Sequence, residues 1–136
     1  MASIYKEFLV DAPAQFAWEA IKDAGAVHSR LAQGFVADTK LAGNTRTVTY
    51  ADGFVVQEQV VSVDEEMRRF VYRSIGGRAS HHNASFQVFP VSDGKSRVLW
   101  VTDLLPEEVR APIEQMVEKG IRAIQGTLER SYRTAR

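Results

Sequence analysis

Four side chains in the middle of the chain, Arg46, Glu58, Tyr72 and His82, have the types and the spacing to act as one group. A carboxylate, a phenol and an imidazole can hold or exchange a proton, and an arginine beside the carboxylate keeps it charged. Each member follows the last by a hairpin's length. Side chains alternate along a strand, so turn length decides which residues meet. Three-residue turns at Ala51-Asp52-Gly53, Asp64-Glu65-Glu66 and Gly76-Gly77-Arg78 place Arg46 opposite Glu58, Glu58 opposite Tyr72, and Tyr72 opposite His82. Cross-strand partners stand about 5 Å apart at Cβ, within reach of hydrogen bonds. Two readings stay open. In one, Glu58, Tyr72 and His82 are catalytic acid and base or grip a ligand oxygen. In the other, Arg46 and Glu58 form a structural pair and Tyr72 and His82 satisfy each other, since a lone buried charge costs several kcal/mol.

Other chemistry is thinly represented. His81-His82 resembles a metal pair, but neighbouring strand residues point to opposite faces and no spaced carboxylate completes a site. Cysteine is absent, which excludes disulfides, thiolate metal sites and a thiol nucleophile. Gly76-Gly77 is turn chemistry and not a phosphate loop, because no helix start follows it. The expectation is no metal and no cofactor.

The elements that must position the row are legible as changes of period. Ile4–Val10 reads as a strand, and Pro13 opens a short helix to about Asp23 carrying Phe16, Ala17, Ala20 and Ile21. A second helical piece falls between Ala26 and Gln33. Six strands follow: Phe35–Leu41, Thr45–Tyr50, Phe54–Val63, Arg68–Ile75, His81–Phe89 and Arg97–Asp103. Their short separators make antiparallel hairpins, since a parallel crossover needs a dozen or more residues. With Val91 to Lys95 as a five-residue loop, Phe86 faces Trp100. After Leu105-Pro106 the helical period returns, with Ile113, Val117, Ile121, Ile124, Leu128 and Tyr132 on one stripe. Pro112 separates a first turn from the main helix, and the segment from Glu107 to Arg133 spans about 40 Å. A helix that long needs a broad floor, and the sheet is the one candidate. The fold class expected is α+β: a seven-stranded curved antiparallel sheet, two short helices after strand 1, and a long C-terminal helix on the concave face.

Seventeen basic and seventeen acidic residues cancel without forming blocks, so no nucleic-acid footprint is expected. No apolar run approaches the ~20 residues that span a bilayer, and the N-terminus lacks the pattern of a signal peptide. A cytoplasmic protein of one domain, residues 1–136, is the default expectation, as monomer or homodimer.

The order of elements and several residue signals are similar to the START-like or SRPBCC superfamily, the helix-grip proteins related to the birch-pollen allergen. Within it the chain most resembles bacterial polyketide cyclase/dehydrase-like members. The signals are Asp11-Ala12-Pro13 with Ala17-Trp18 and Asp23, Gly43 with Arg46, and Gly53 with Glu58. Asp64 with Tyr72, Ser96 to Trp100, and Leu128-Glu129-Arg130 complete them. Together they cover essentially the whole chain. One departure is the second short helix, which lacks a tryptophan near Arg30 and Leu31.

The resemblance implies a cavity between helix and sheet for a hydrophobic molecule, lipids and polyketides included. It implies no shared catalytic motif. Arg46, Glu58, Phe70, Tyr72, His82, Phe86, Trp100, Met116 and Gly120 are the residues expected around that ligand, although aromatics and helical glycines at such spacing also serve as plain core. Three functions follow as expectations. The first is binding of a small hydrophobic or aromatic molecule, the second a cyclase- or dehydratase-type acid–base enzyme, and the third a protein-interaction module.

Overall fold

The computed structural model describes residues 2–135. Its seven strands form one antiparallel sheet: β1 (Ala2–Val10), β2 (Val36–Ala42), β3 (Thr45–Tyr50), β4 (Val55–Asp64), β5 (Arg69–Ile75), β6 (His81–Ser92) and β7 (Lys95–Leu105). Strands β2 to β7 run as a meander, and β1 closes the far side by pairing with β7. The helices are α1 (Ala14–Lys22) and α2 (Arg110–Ala135), with a single π-turn at Val27–Leu31 and a 3-10 turn at Glu107–Val109. In the π-turn the Ala32 N–H donates to the Val27 carbonyl at 2.8 Å.

The core lies between the inner sheet face and α2. Ile4, Phe8, Val10, Val48, Phe70, Ala84, Phe86, Val88 and Val98 are buried from the sheet, and Ile113, Val117, Ile124 and Leu128 from the helix. The end of α2 is fastened to the β1–α1 corner. Gln125 Nε2 donates to the Leu9 carbonyl at 2.6 Å, and the Asp11 N–H donates to Glu129 at 2.9 Å. Near the other end Lys6, an inward residue of β1, binds Glu114 and Glu118 at 3.1 and 2.7 Å.

Several details depart from the sequence reading. Pro13 is the cap of α1 with extended backbone and not its first helical residue. Pro112 lies inside the first turn of α2, where its missing N–H breaks no helical bond, so it does not separate two helices. Ile121 is half-buried, because at about 100° per residue it falls some 80° round the helix from Ile113. Gly120 takes the central position instead.

Two turns differ from expectation in parity as well as in length. The β4–β5 turn has four residues, Glu65 to Arg68, and the β6–β7 turn has two, Asp93 and Gly94. An even-numbered turn would reverse the faces of one strand against the other. Each is offset by a one-residue bulge, at Val61 in β4 and at Val91 in β6. The inward residues therefore remain inward.

Candidate functional site

The inner ends of β3 to β7 and the first half of α2 enclose a cavity of about 510 Å³. That volume suits a small organic molecule. Its wall is largely apolar and aromatic, with Phe35, Phe54, Val56, Trp100, Ile113 and Met116 among the lining residues. Polar groups from four different elements face this wall: Tyr50 on β3, Glu58 on β4, Tyr72 on β5 and His82 on β6. Strand alternation puts them there, since each shares its strand's inward parity with buried neighbours.

Arg46 and Glu58 are direct cross-strand partners. The turn between their strands is the expected three-residue one, with Gly53 in the left-handed region at φ 92°. Arg46 Nε donates to Glu58 Oε1 at 2.8 Å, with both side chains almost fully buried. The same guanidinium reaches the Ala24 carbonyl at 3.4 Å and lies 5.1 Å over the Tyr72 ring and 5.2 Å over the Phe70 ring. The buried ion pair packs against two neighbouring aromatic rings, and it leaves the other Glu58 oxygen without a protein partner among the described residues.

Glu58 does not stand opposite Tyr72, and Tyr72 does not stand opposite His82. Glu58 pairs with Ser74, and Tyr72 pairs with Val60 and Ala84. The longer turn and the bulge together add two residues between β4 and β5, and the β5–β6 loop runs from Gly76 to Ser80 and adds two more. Continuing the register past Arg73 and Asn83 brings Ser74 level with His82. The transverse row is thus Arg46, Glu58, Ser74 and His82, with Tyr72 one inward position along. His82 is inward and His81 outward, where His81 meets Asn83 at 2.6 Å. Tyr72 and His82 share no hydrogen bond, so they do not satisfy each other.

Burial sets the protonation of these groups. The Tyr72 phenol is pushed well above its ordinary range, first by burial and then by the Glu58 charge. Tyr50 is raised by the same two causes in the same order. Both remain hydrogen-bond donors at any physiological pH. His82 is lowered, by burial first and by His81 second, and so is neutral at pH 7. Trp100 Nε1 is buried without a hydrogen-bond partner, and though it approaches the Tyr72 oxygen closely enough to ease that phenol slightly, it falls short of bonding geometry.

The other expected ligand residues divide. Met116 and Trp100 line the main cavity. Phe86 and Gly120, with Arg46, line a deeper space of about 40 Å³ that shares Tyr50, Glu58, Tyr72 and Trp100 with it. Phe70 lies beneath the Arg46 guanidinium and lines neither space. Trp18 is core, its N–H donating to Glu65 at 3.0 Å. Tyr50 and Ser74 were missed from sequence. Tyr50 was available, since it shares the parity of Arg46 and Val48. Among the described residues no cluster of three His, Asp or Glu could hold a metal ion, and no helix is long and apolar enough to cross a membrane.

Comparison with known proteins places this architecture. A Bacillus thuringiensis protein of solved structure superposes with a TM-score of 0.84 at 18% identity, covering 93% of this chain and 98% of that one. The Zhui aromatase/cyclase of a Streptomyces species gives 0.74 at 14%, covering 97% and 93%. Norcoclaurine synthase from Thalictrum flavum, solved with dopamine and hydroxybenzaldehyde, gives 0.73 at 19%, covering 95% and 84%. At these identities the likeness is one of fold. No curated protein matches the chain. A family model described as polyketide cyclase / dehydrase and lipid transport matches residues 1–133, and the chain therefore belongs to that family, as a polyketide cyclase-like member of the START-like, SRPBCC superfamily.

Proposed function

We propose that residues 1–136 act as one ligand-binding domain, whose cavity holds a small, ring-containing molecule by an oxygen-bearing end. One observation carries this reading: the Tyr50 and Tyr72 hydroxyls, the His82 ring and one Glu58 oxygen face the cavity with no hydrogen-bond partner among the described residues, while the wall around them is aromatic and aliphatic. Donors and an acceptor that open onto a space of about 510 Å³ within an apolar wall have the arrangement of a small-molecule site. Two phenols and a neutral imidazole offer donors to a carbonyl or hydroxyl, and the free Glu58 oxygen accepts from a hydroxyl. The reading as a protein-interaction module, which a filled interior would have favoured, gains no support from the open cavity.

The convergence of Glu58, Tyr72 and His82 on one cavity supports a second reading, acid–base catalysis of cyclisation or dehydration. Glu58 and the neutral His82 ring offer proton acceptors and the Tyr72 hydroxyl a donor, although burial makes that phenol a weaker acid than a free one. The aromatase/cyclase and norcoclaurine synthase of like fold are enzymes by name. Binding remains the preferred reading, because no residue here is marked as a nucleophile.

Native mass spectrometry of freshly purified protein is the first test, with a co-purified small molecule as the expected result. Against the molecule so identified, Glu58→Gln and His82→Ala should weaken affinity if the site only binds. If it catalyses, Glu58→Gln should cost rate more than affinity, typically ~10²-fold. Both variants at wild-type affinity and activity would show the row to be scaffold.

A further inference from the structure

The rim of the cavity carries two cations without partners. Arg78, on the β5–β6 loop, and Lys119, on α2, both line the opening, and neither makes an ion pair or hydrogen bond among the described residues. The other titratable groups of the lining are engaged or neutral. Glu58 is bound to Arg46. Tyr50 and Tyr72 stay protonated, and burial keeps His82 uncharged. Asp52, the one remaining carboxylate, accepts the Phe54 N–H at 3.0 Å on the β3–β4 turn. The opening thus holds two uncommitted positive charges against one negative charge, although the whole chain is neutral.

We infer that the ligand is an amphipathic acid held lengthwise, its hydroxyl or carbonyl end at Glu58 and Tyr72 and an anionic group, carboxylate or phosphate, at Arg78 and Lys119. This rests on the reading of the cavity as a ligand site and adds the charge of what enters it. A ligand with two poles suits this lining. An apolar body fills the aromatic wall, the inner polar atoms take one end, and the cations stand where the other end emerges. Lysine and arginine at the edge of an apolar cavity attract an anion more strongly than they would on an open surface, because the cavity wall excludes water on one side. The anionic group belongs to the molecule inside the cavity, and not to a bilayer on which the rim rests.

The test is calorimetric titration at neutral pH with 6-hydroxy-2-naphthoate and with its methyl ester, which keeps the ring system and the hydroxyl but lacks the charge. The acid should bind about tenfold more tightly than the ester in low salt. That preference should shrink as salt rises to about 0.5 M. The double variant Arg78→Gln/Lys119→Gln should abolish the preference, and Lys40→Gln, an exposed change on β2, should keep it. All three positions are at the surface, so folding is not at stake. Equal affinities in the wild type, or a preference that survives the double variant, would overturn the inference. So would a double variant that alters only sedimentation with anionic phosphatidylglycerol vesicles, which would assign the cations to a lipid surface. In those cases ester binding that weakens in Glu58→Gln would show the cavity reading to stand by itself. If neither compound binds, the cavity reading fails and this inference with it.

Discussion

Gly120 of α2 faces the indole of Trp100 so closely that a β-carbon there would stand 3.1 Å from both Cη2 and Cζ3. The contact joins the helix to the strand that floors the cavity, and the small residue is what permits it. Gly120→Ala should therefore destabilise the protein by roughly 1–3 kcal/mol, despite the better helix propensity of alanine. Gly126 lies on the same helix, but the atom nearest to its added β-carbon is Arg130 Nη1, the end of a flexible side chain, at 3.0 Å. Gly126→Ala should stabilise by about 0.5–1 kcal/mol. Urea unfolding of the pair checks both signs, and a Gly120→Ala protein as stable as wild type would show that Trp100 yields freely.

The Arg46–Glu58 pair should behave as a buried unit. Arg46→Met strands a carboxylate at a site that is 6% exposed, and should cost about 3–5 kcal/mol. Adding Glu58→Gln to that variant should return part of the loss, because the stranded charge is gone. Denaturant titrations of the two single variants and the double variant measure the coupling. A single-variant loss below about 1 kcal/mol would mean that the cavity hydrates Glu58 well enough without arginine.

Burial separates two isoleucines that share the expected stripe. Ile124 is 2% exposed and Ile121 only half-buried. Ile124→Asp should leave the chain unfolded at room temperature, because it places an unpaired charge in the core. Ile121→Asp should leave a folded protein of reduced stability. Far-ultraviolet circular dichroism distinguishes them, and similar spectra for the two would remove the distinction.

His82 should make stability depend on pH. Its folded-state proton affinity is lowered by burial, so between that lowered value and the ordinary value of about 6.5 the unfolded chain binds more protons. Its contribution is therefore complete above about pH 6.5 and declines as pH falls through that window. His82→Gln should flatten the slope of unfolding free energy between pH 7 and pH 5. An unchanged slope would mean that the ring is hydrated through the cavity mouth.

The path from residues to this site was legible where alternation alone decides it. Arg46 against Glu58, Phe86 against Trp100, and the inward His82 all follow from parity. What was not legible is how far each hairpin slides. Val60 and Val61 are alike, so nothing in the string marks the second as the one that leaves the ladder. Gly76 to Ser80 reads equally well as three loop residues or five. The β4–β5 turn with its bulge, and the β5–β6 loop, each move the register by two residues, which preserves the face and moves the partner, and Ser74 thereby replaces Tyr72 in the row. Ile121 was misplaced for another reason. A step of four residues gains about 40° each time, so a stripe drawn in fours drifts off the buried side.

The bulges at Val61 and Val91 also amount to spare length. Remove Val61 and every remaining pair between β4 and β5 can stay as it is, since Val60 already faces Tyr72 and Ser62 already faces Val71. Val91 stands in the same relation to Pro90 and Ser92. What such a deletion takes away is a bend, because an extra residue on one strand shortens its partner's side of the ladder and tightens the local twist. The sheet without them would be flatter along those strands. Two valines, each more than half exposed, thus supply local bend and twist to the sheet while every buried pair keeps its place.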